Sequence, residues 1–127
     1  MNDRELLMLA QDASTRAYAP YSGFTVGAAL ECEDGTVYTG GNVENAAYGE
    51  CICAERSAVV KAVSEGKTKF RRIAVYGPGK NYCMPCGACR QVLSEFADGD
   101  MEVLAAKAGG SYVSYPLSKL LAYSFKF

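Results

Sequence analysis

The chain has 127 residues, half of them apolar, which is the size of one domain with a hydrophobic core. Its 13 basic and 14 acidic residues give a net charge of −1, without the clustered basic footprint that a nucleic-acid backbone requires. The N-terminus is polar and charged, and no apolar run is long enough to span a bilayer. We therefore expect a single domain over residues 1–127, soluble in the cytoplasm, that binds neither nucleic acid nor membrane.

The beginning of the chain predicts a helix followed by a strand. Residues 2–5 form a capping-box pattern, and Pro20 is expected to end the helix. The apolar positions at helical spacing between them are Leu6, Leu9, Ala10, Ala13 and Ala17. Residues 24–32 alternate apolar side chains on one face, which predicts a half-buried strand.

A hairpin and a loop are expected next. Asp34-Gly35 is a strong turn signal into a second strand over residues 37–40. Two glycines then lead into a loop that carries Glu44 and Tyr48.

The second half of the chain predicts helices alternating with strands. A helix is expected from Cys53 to Glu65, with Gly66 as its stop signal. A strand over residues 73–76 follows, and Pro85 is expected to open the next helix at its first turn.

Two strands, over residues 101–106 and 112–115, and a short helix from Pro116 end the chain. The two strands are joined by only a few residues around Gly109-Gly110. This connection permits an antiparallel hairpin and is too short for a parallel crossover.

The cysteines indicate where the chemistry lies. Six cysteines without an export signal favour metal binding or thiol chemistry over a disulfide framework. Because the chain has no histidine, a zinc site must use thiolates and carboxylates, and serine–histidine hydrolase chemistry is excluded.

Two motifs stand out, the Cys-Ala-Glu-Arg of residues 53–56 and the Pro-Cys-Gly-Ala-Cys-Arg of residues 85–90. Cys86 and Cys89 are three residues apart, so they share one face at a helix N-terminus, where the helix dipole favours thiolates. Glu55 is rotated by about 200° from Cys53 in an ideal helix. It is thus poorly placed to ligate beside Cys53 but can approach the same site from another side.

In this order the motifs resemble those of zinc deaminases, with Cys53 in place of a histidine. Further segments, over residues 21–29, 41–46 and 85–96, make the chain similar to the small cytidine deaminases of nucleoside salvage. The resemblance implies a three-layer α/β/α fold with a five-stranded mixed sheet whose last two strands form an antiparallel hairpin. It also implies hydrolytic deamination of cytidine and 2′-deoxycytidine to uridine and 2′-deoxyuridine plus ammonia.

The resemblance assigns the chemistry to particular residues. One Zn²⁺ per chain would be held by Cys53, Cys86 and Cys89, with water in the fourth position. Glu55 would shuttle protons between that water, the base and the leaving ammonia. Arg56 would donate hydrogen bonds to ligand sulfurs and offset their charge, the alternative being a solvated helix residue.

The substrate contacts are also carried over from the resemblance. Phe24 would pack against the pyrimidine, and Asn42 and Glu44 would bind the ribose hydroxyls, with Ala54 and Tyr48 as further contacts. Phe24 could instead be an ordinary core residue and Asn42 a turn residue. Glu44 has no comparable structural explanation in the sequence.

The family forms homotetramers with shared active sites, and Phe125 matches a tail phenylalanine that covers the base in a neighbouring subunit. The alternative is a tail residue that packs on its own domain. The tail departs from the family at Ala122, where proline is common after paired leucines. An abundance of tyrosine and phenylalanine agrees with assembly, because aromatic residues are enriched at interfaces.

Other interpretations remain open at this point. The evenly spaced Cys83, Cys86 and Cys89 resemble an iron–sulfur run, although the further Cys-Pro of that run is missing. A non-catalytic four-cysteine zinc module would add Cys51 to the three expected ligands. A blasticidin-type deaminase is the nearest functional alternative. We expect Cys32, Cys51 and Cys83 to be non-ligands.

Overall fold

The computed structural model describes all residues 1–127 as one five-stranded mixed sheet with helices on both faces. The elements in chain order are α1 (Asp3–Ser14), β1 (Gly27–Cys32), β2 (Val37–Gly41), α2 (Ala54–Ser64), β3 (Phe70–Tyr76), α3 (Gly87–Phe96), β4 (Ala97–Ala106), β5 (Tyr112–Pro116) and α4 (Leu117–Leu120), with a 3₁₀ turn at Tyr48–Glu50. The strand order is β2-β1-β3-β4-β5. The predicted mixed sheet is confirmed.

Strand directions agree with the prediction for the end of the chain. β4 and β5 pair antiparallel, as the short connection between them requires. β3 and β4 are parallel, and β1 is antiparallel to both of its neighbours. No helix has the length and apolar character needed to cross a membrane.

Helix α1 begins as the capping box predicts. The Asn2 side chain accepts the backbone N–H of Glu5 at 2.8 Å, and the Asn2 N–H donates to the Glu5 carboxylate at 3.2 Å. The helix ends at Ser14, so the expectation that it continues to Pro20 is wrong. The chain turns at residues 15–16, and Tyr18 then pairs with Val43 in an isolated β-bridge, so it is not part of the helix.

Strand β1 also differs from its prediction. It begins at Gly27, not at residue 24, and all six of its residues are buried, not every second one. The reason is that β1 lies inside the sheet, between β2 and β3, and that helices cover both of its faces. Ala29 packs with α1 on one face, and Leu30 packs with α2 and α3 on the other.

The starts of β3 and α3 also differ from their predicted positions. β3 is longer than expected because it starts at Phe70, whose buried ring packs 5.2 Å from the ring of Phe96. Pro85 does not open the first turn of α3, because Cys86 has extended backbone angles and is itself the N-cap. Cys53 is the N-cap of α2 in the same way.

The strand directions bring these two caps together. β2, β3 and β4 run in the same direction, so α2 and α3, which connect them, both run back across one face of the sheet. Both helices therefore begin at the same edge, at the carboxyl ends of β2 and β3. The fold thereby places Cys53 and Cys86 side by side.

A close approach between α1 and β1 offers a test of this packing. A Cβ at Gly27 would overlap the carbonyl oxygen of Ala10 and lie 2.5 Å from the backbone nitrogen of Ser14. We expect Gly27→Ala to destabilise the protein by about 1–3 kcal/mol and to lower its melting temperature, because backbone must move to admit the methyl group. Gly49→Ala, where nothing lies within 4 Å of the added Cβ, is the matched control. Equal melting temperatures for the two variants would contradict this packing.

Candidate active site

Three cysteine sulfurs converge at the shared start of α2 and α3. The Sγ atoms of Cys53, Cys86 and Cys89 all lie within 4.8 Å of one another. The Cys53–Cys86 separation is 3.9 Å and the Cys86–Cys89 separation is 3.5 Å. Cys53 and Cys86 are helix N-caps whose side chains cap no backbone N–H, so their sulfurs are free to turn toward each other.

This donor set fits a zinc ion. Two Zn–S bonds of about 2.3 Å at a tetrahedral angle place their sulfurs about 3.8 Å apart, close to both separations above. Three ligands on Zn²⁺ leave one position open. The residues that could hold the metal are therefore the three that the sequence predicted.

Protonation of the sulfurs follows from their mutual contacts. The pKa of Cys53 falls to about 5, because the Cys89 thiol and the Arg56 guanidinium both donate to its sulfur. The pKa of Cys89 rises, because its proton is held in that hydrogen bond. A metal that binds all three as thiolates must displace the remaining protons, so its affinity falls as pH falls.

Arg56 lies against the sulfur cluster. Its Nη2 is 3.4 Å from the sulfur of Cys53, and the pKa of the guanidinium is raised, mainly by this hydrogen bond. Its Nε is buried without any hydrogen-bond partner. The side chain is thus not the solvated helix residue of the alternative interpretation. It instead places a positive charge beside the thiolates.

Glu55 lies next to the cluster and is almost fully buried, with 4% of its surface exposed. Burial raises the pKa of its carboxyl to about 7. It lines a cavity of about 160 Å³ together with Cys53, Cys86 and Ala54. A carboxyl group with this pKa can both accept and donate a proton near neutral pH.

A larger open cleft of about 450 Å³ borders this cavity. The two share Asn42 and Cys53 in their walls. Glu44 and Tyr48 line the larger cleft. The combined space is of the size that a small organic molecule occupies.

The side chains of Asn42 and Glu44 are both held by backbone groups. The Asn42 amide donates to the carbonyl of Phe24 at 2.9 Å and accepts the N–H of Val26 at 2.8 Å. The Glu44 carboxylate accepts the N–H groups of Tyr21 and Ser22 at 3.0 and 3.1 Å, respectively. Glu44 therefore has the structural explanation that the sequence did not reveal.

The remaining substrate candidates are placed less centrally. Phe24 is 45% exposed, so it is not a core residue, and its ring lies over the backbone of Gly77 and Gly79, outside the walls of both cavities. Tyr48 is 91% exposed at the mouth of the larger cleft. Phe125 is 70% exposed and lines neither cavity of its own chain.

The other cysteines lie outside the sulfur cluster. Cys51 accepts the N–H of Asn45 at 3.3 Å. Cys83 packs where a side chain at Gly77 would be, and burial raises its pKa to about 11. Cys32 is buried in the core of the sheet. Cys83 is therefore evenly spaced with Cys86 and Cys89 in the sequence but does not join their sulfur cluster in the structure.

One supporting residue escaped the sequence analysis. Arg90 donates to the carbonyl of Pro85 at 2.7 Å and to the carbonyl of Leu120 at 2.8 Å. It thereby ties the loop before Cys86 to the C-terminal segment. Its position directly after Cys89 was the only signal in the sequence, and it did not distinguish a half-buried anchor from a surface charge.

Comparison with known proteins agrees with this geometry. Residues 1–105 match the family model described as the cytidine and deoxycytidylate deaminase zinc-binding region. A cytidine deaminase of Sporosarcina psychrophila is 45% identical, over 98% of this chain and 92% of its own length. The chain belongs to the cytidine and deoxycytidylate deaminase family.

Solved structures of the family have the same fold. The crystal structure of cytidine deaminase from Burkholderia pseudomallei matches with a TM-score of 0.94 at 43% identity, covering 98% of this chain and 100% of its own. The cytidine deaminase from Mycobacterium tuberculosis matches with a TM-score of 0.85 at 37% identity, covering 100% and 99% of the two chains. Membership in this deaminase family decides against an iron–sulfur protein and a non-catalytic zinc module.

The zinc site can be tested by replacing cysteines one at a time. We expect Cys86→Ser to lose most of the bound zinc, because a tetrahedral site loses one of its three protein ligands. Cys51→Ser and Cys83→Ser are the matched controls and should retain one zinc per chain. Metal analysis of the purified proteins measures this. Loss of zinc from either control would contradict the ligand assignment.

Proposed function

We propose that this protein is a cytoplasmic, single-domain enzyme of nucleoside salvage that deaminates cytidine and 2′-deoxycytidine hydrolytically. The products are uridine or 2′-deoxyuridine and ammonia. The observation that carries the proposal is the buried carboxyl of Glu55 beside a three-sulfur cluster at the end of a cleft. Relatives over nearly the whole chain are named cytidine deaminases, which supports the choice of substrate.

Cys53, Cys86 and Cys89 would hold one Zn²⁺ per chain. When bound, zinc supplies a Lewis acid with one open position, which lowers the pKa of a water there. Three thiolates exceed the charge of the metal by one unit, and Arg56 supplies a positive charge beside them. We propose that Arg56 withdraws charge from the sulfurs and so preserves the acidity of the site.

Glu55 would carry the protons. Its carboxylate would accept a proton from the attacking water and deliver it to N3 of the pyrimidine. It would then take the second proton from the hydroxyl group now on C4 and deliver it to the amino group, which leaves as ammonia while C4 keeps a carbonyl oxygen. A pKa of about 7 suits both directions of transfer. Burial also keeps bulk water from exchanging with the proton in transit.

The two joined cavities suit the two halves of a nucleoside. The smaller cavity, at Glu55, would hold the base against Ala54, and the larger cleft would hold the sugar. Asn42 and Glu44 would contact the ribose hydroxyls, since a carboxylate retains acceptor capacity beyond its backbone contacts. Phe24 lines neither cavity in this chain, so its ring would have to turn toward the smaller cavity to pack on the base, and Tyr48 would lie at the mouth of the cleft.

Replacing Glu55 tests the reaction. We expect Glu55→Gln to retain zinc and the melting temperature but to lose about 10⁴-fold in kcat for cytidine, because the amide cannot accept a proton. Glu65→Gln, an exposed residue at the end of the same helix, is the matched control and should keep full activity. The loss of the cytidine absorbance band measures turnover. A Glu55→Gln enzyme within tenfold of wild type would show that another base operates.

We further propose that the protein is a homotetramer whose active sites are completed by neighbouring subunits. The support is the exposure of aromatic side chains, among them Phe125, Tyr48 and Tyr21, which a lone subunit leaves in water. The tail runs along α3, where Gln91 donates to the carbonyl of Phe125 at 3.3 Å, and leaves the Phe125 ring free. That ring would cover the base bound in a neighbour.

If active sites are shared between subunits, tetramers that mix two impaired variants should regain activity. Phe125→Ala chains keep Glu55 but lack the covering ring, and Glu55→Gln chains keep the ring but lack the base. Refolded together, they should form hybrid tetramers in which some sites have both parts, so activity should exceed the sum of the separate mutants. The same proteins mixed after separate refolding are the control. Hybrids without this rescue would show that Phe125 does not complete a neighbour's site.

A further inference from the structure

The turn over residues 21–24 leads into β1, and its polar contacts converge on one hydroxyl. The Ser22 hydroxyl donates to Oε2 of Glu44, while the Ser22 N–H donates to Oε1 of the same carboxylate at 3.1 Å. The Ser22 hydroxyl oxygen also accepts the N–H of Phe24 at 3.0 Å. One hydroxyl therefore joins the side chain of Glu44 to the backbone of Phe24.

The backbone of Phe24 is also held from its other side. Its carbonyl accepts from the Asn42 amide at 2.9 Å, and the same amide accepts the N–H of Val26 at 2.8 Å. Phe24 is thus fixed at its N–H through Ser22 and at its C=O through Asn42. The two residues expected at the sugar and the one expected at the base form a single hydrogen-bonded unit.

Packing does not fix this turn. Tyr21, Ser22, Gly23 and Phe24 are all exposed, and Gly23 has a φ of 70°, which favours glycine. With few buried contacts, a segment of this kind opens readily unless hydrogen bonds hold it. The hydroxyl of Ser22 makes two of the bonds that define its shape.

We propose that Ser22 is a positioning residue, whose hydroxyl aligns Glu44 with Phe24 before the substrate binds. The proposal rests on the proposed function, which assigns the ribose to Glu44 and the base to Phe24. The hydroxyl would act by preorganisation. Because the Glu44 carboxylate is already oriented, none of the binding energy of the substrate is used to order it. Hydrogen bonding by Ser22 also lowers the pKa of Glu44, because the hydroxyl donates to the charged form of the carboxylate.

Enzyme kinetics test the role. We expect Ser22→Ala to lower kcat/KM for cytidine about tenfold, mostly through KM, since a hydrogen bond to a charged group is lost. Ser22→Thr, which keeps the hydroxyl, should stay close to wild type. Ser114→Ala removes a matched bond, at 2.7 Å from the hydroxyl of Ser114 on β5 to the carboxylate of Glu102 on β4, and should leave KM unchanged. A wild-type KM in Ser22→Ala would overturn the proposal.

A double-mutant cycle separates positioning from a general loss of order. In a Glu44→Ala background the hydroxyl has lost its main partner, so adding Ser22→Ala should cost much less than it costs the wild type. An equal loss in both backgrounds would show that Ser22 does not act through Glu44. Melting temperatures of all variants exclude unfolding as the cause.

One readout does not depend on turnover. NMR titration of the Glu44 carboxyl, identified by its absence in Glu44→Ala, should show its pKa rising in Ser22→Ala, because a hydrogen bond to the charged form is lost. An unchanged pKa would overturn the proposed contact. If the wild-type protein failed to deaminate cytidine, the proposed function would fall, and this titration would still decide whether Ser22 holds Glu44.

Discussion

Two helices that begin at one point, with their positive ends facing three cysteine sulfurs, are the constraint on which this structure depends. α2 and α3 meet there because the strands they connect run in the same direction. Each helix start carries partial positive charge and unpaired N–H groups, which favour thiolates. Cys53 and Cys86 occupy the cap positions without capping, so their sulfurs serve the cluster and not the helices.

The charges of the site follow from that arrangement. Three thiolates need compensation, and a divalent metal, the helix dipoles and Arg56 supply it together. Glu55, in the first turn of the helix that Cys53 caps, lies in the same cavity and is buried, which raises its pKa to about 7. The metal site thus follows from where α2 and α3 start, and the proton carrier from where α2 starts.

Features set by residues close together in the chain could be predicted from the sequence, whereas features that depend on contacts between distant segments could not. The capping box, the final hairpin and the two cysteine motifs are set by residues close in the chain, and the structure contains all of them. The prediction of a half-buried β1 was wrong, because the alternation of side chains within a strand does not show that α1 covers its other face. The hold of Ser22 on Glu44 joins residues that are distant in sequence, so no local pattern could predict it.

X-ray absorption spectroscopy of the zinc-loaded protein tests the central claim most directly, because it counts the atoms bound to the metal. We expect three sulfur neighbours at about 2.3 Å and one lighter neighbour at about 2.0 Å, the pattern of an open catalytic site. Four sulfur neighbours would contradict the account, because a fourth thiolate would close the position that the chemistry needs.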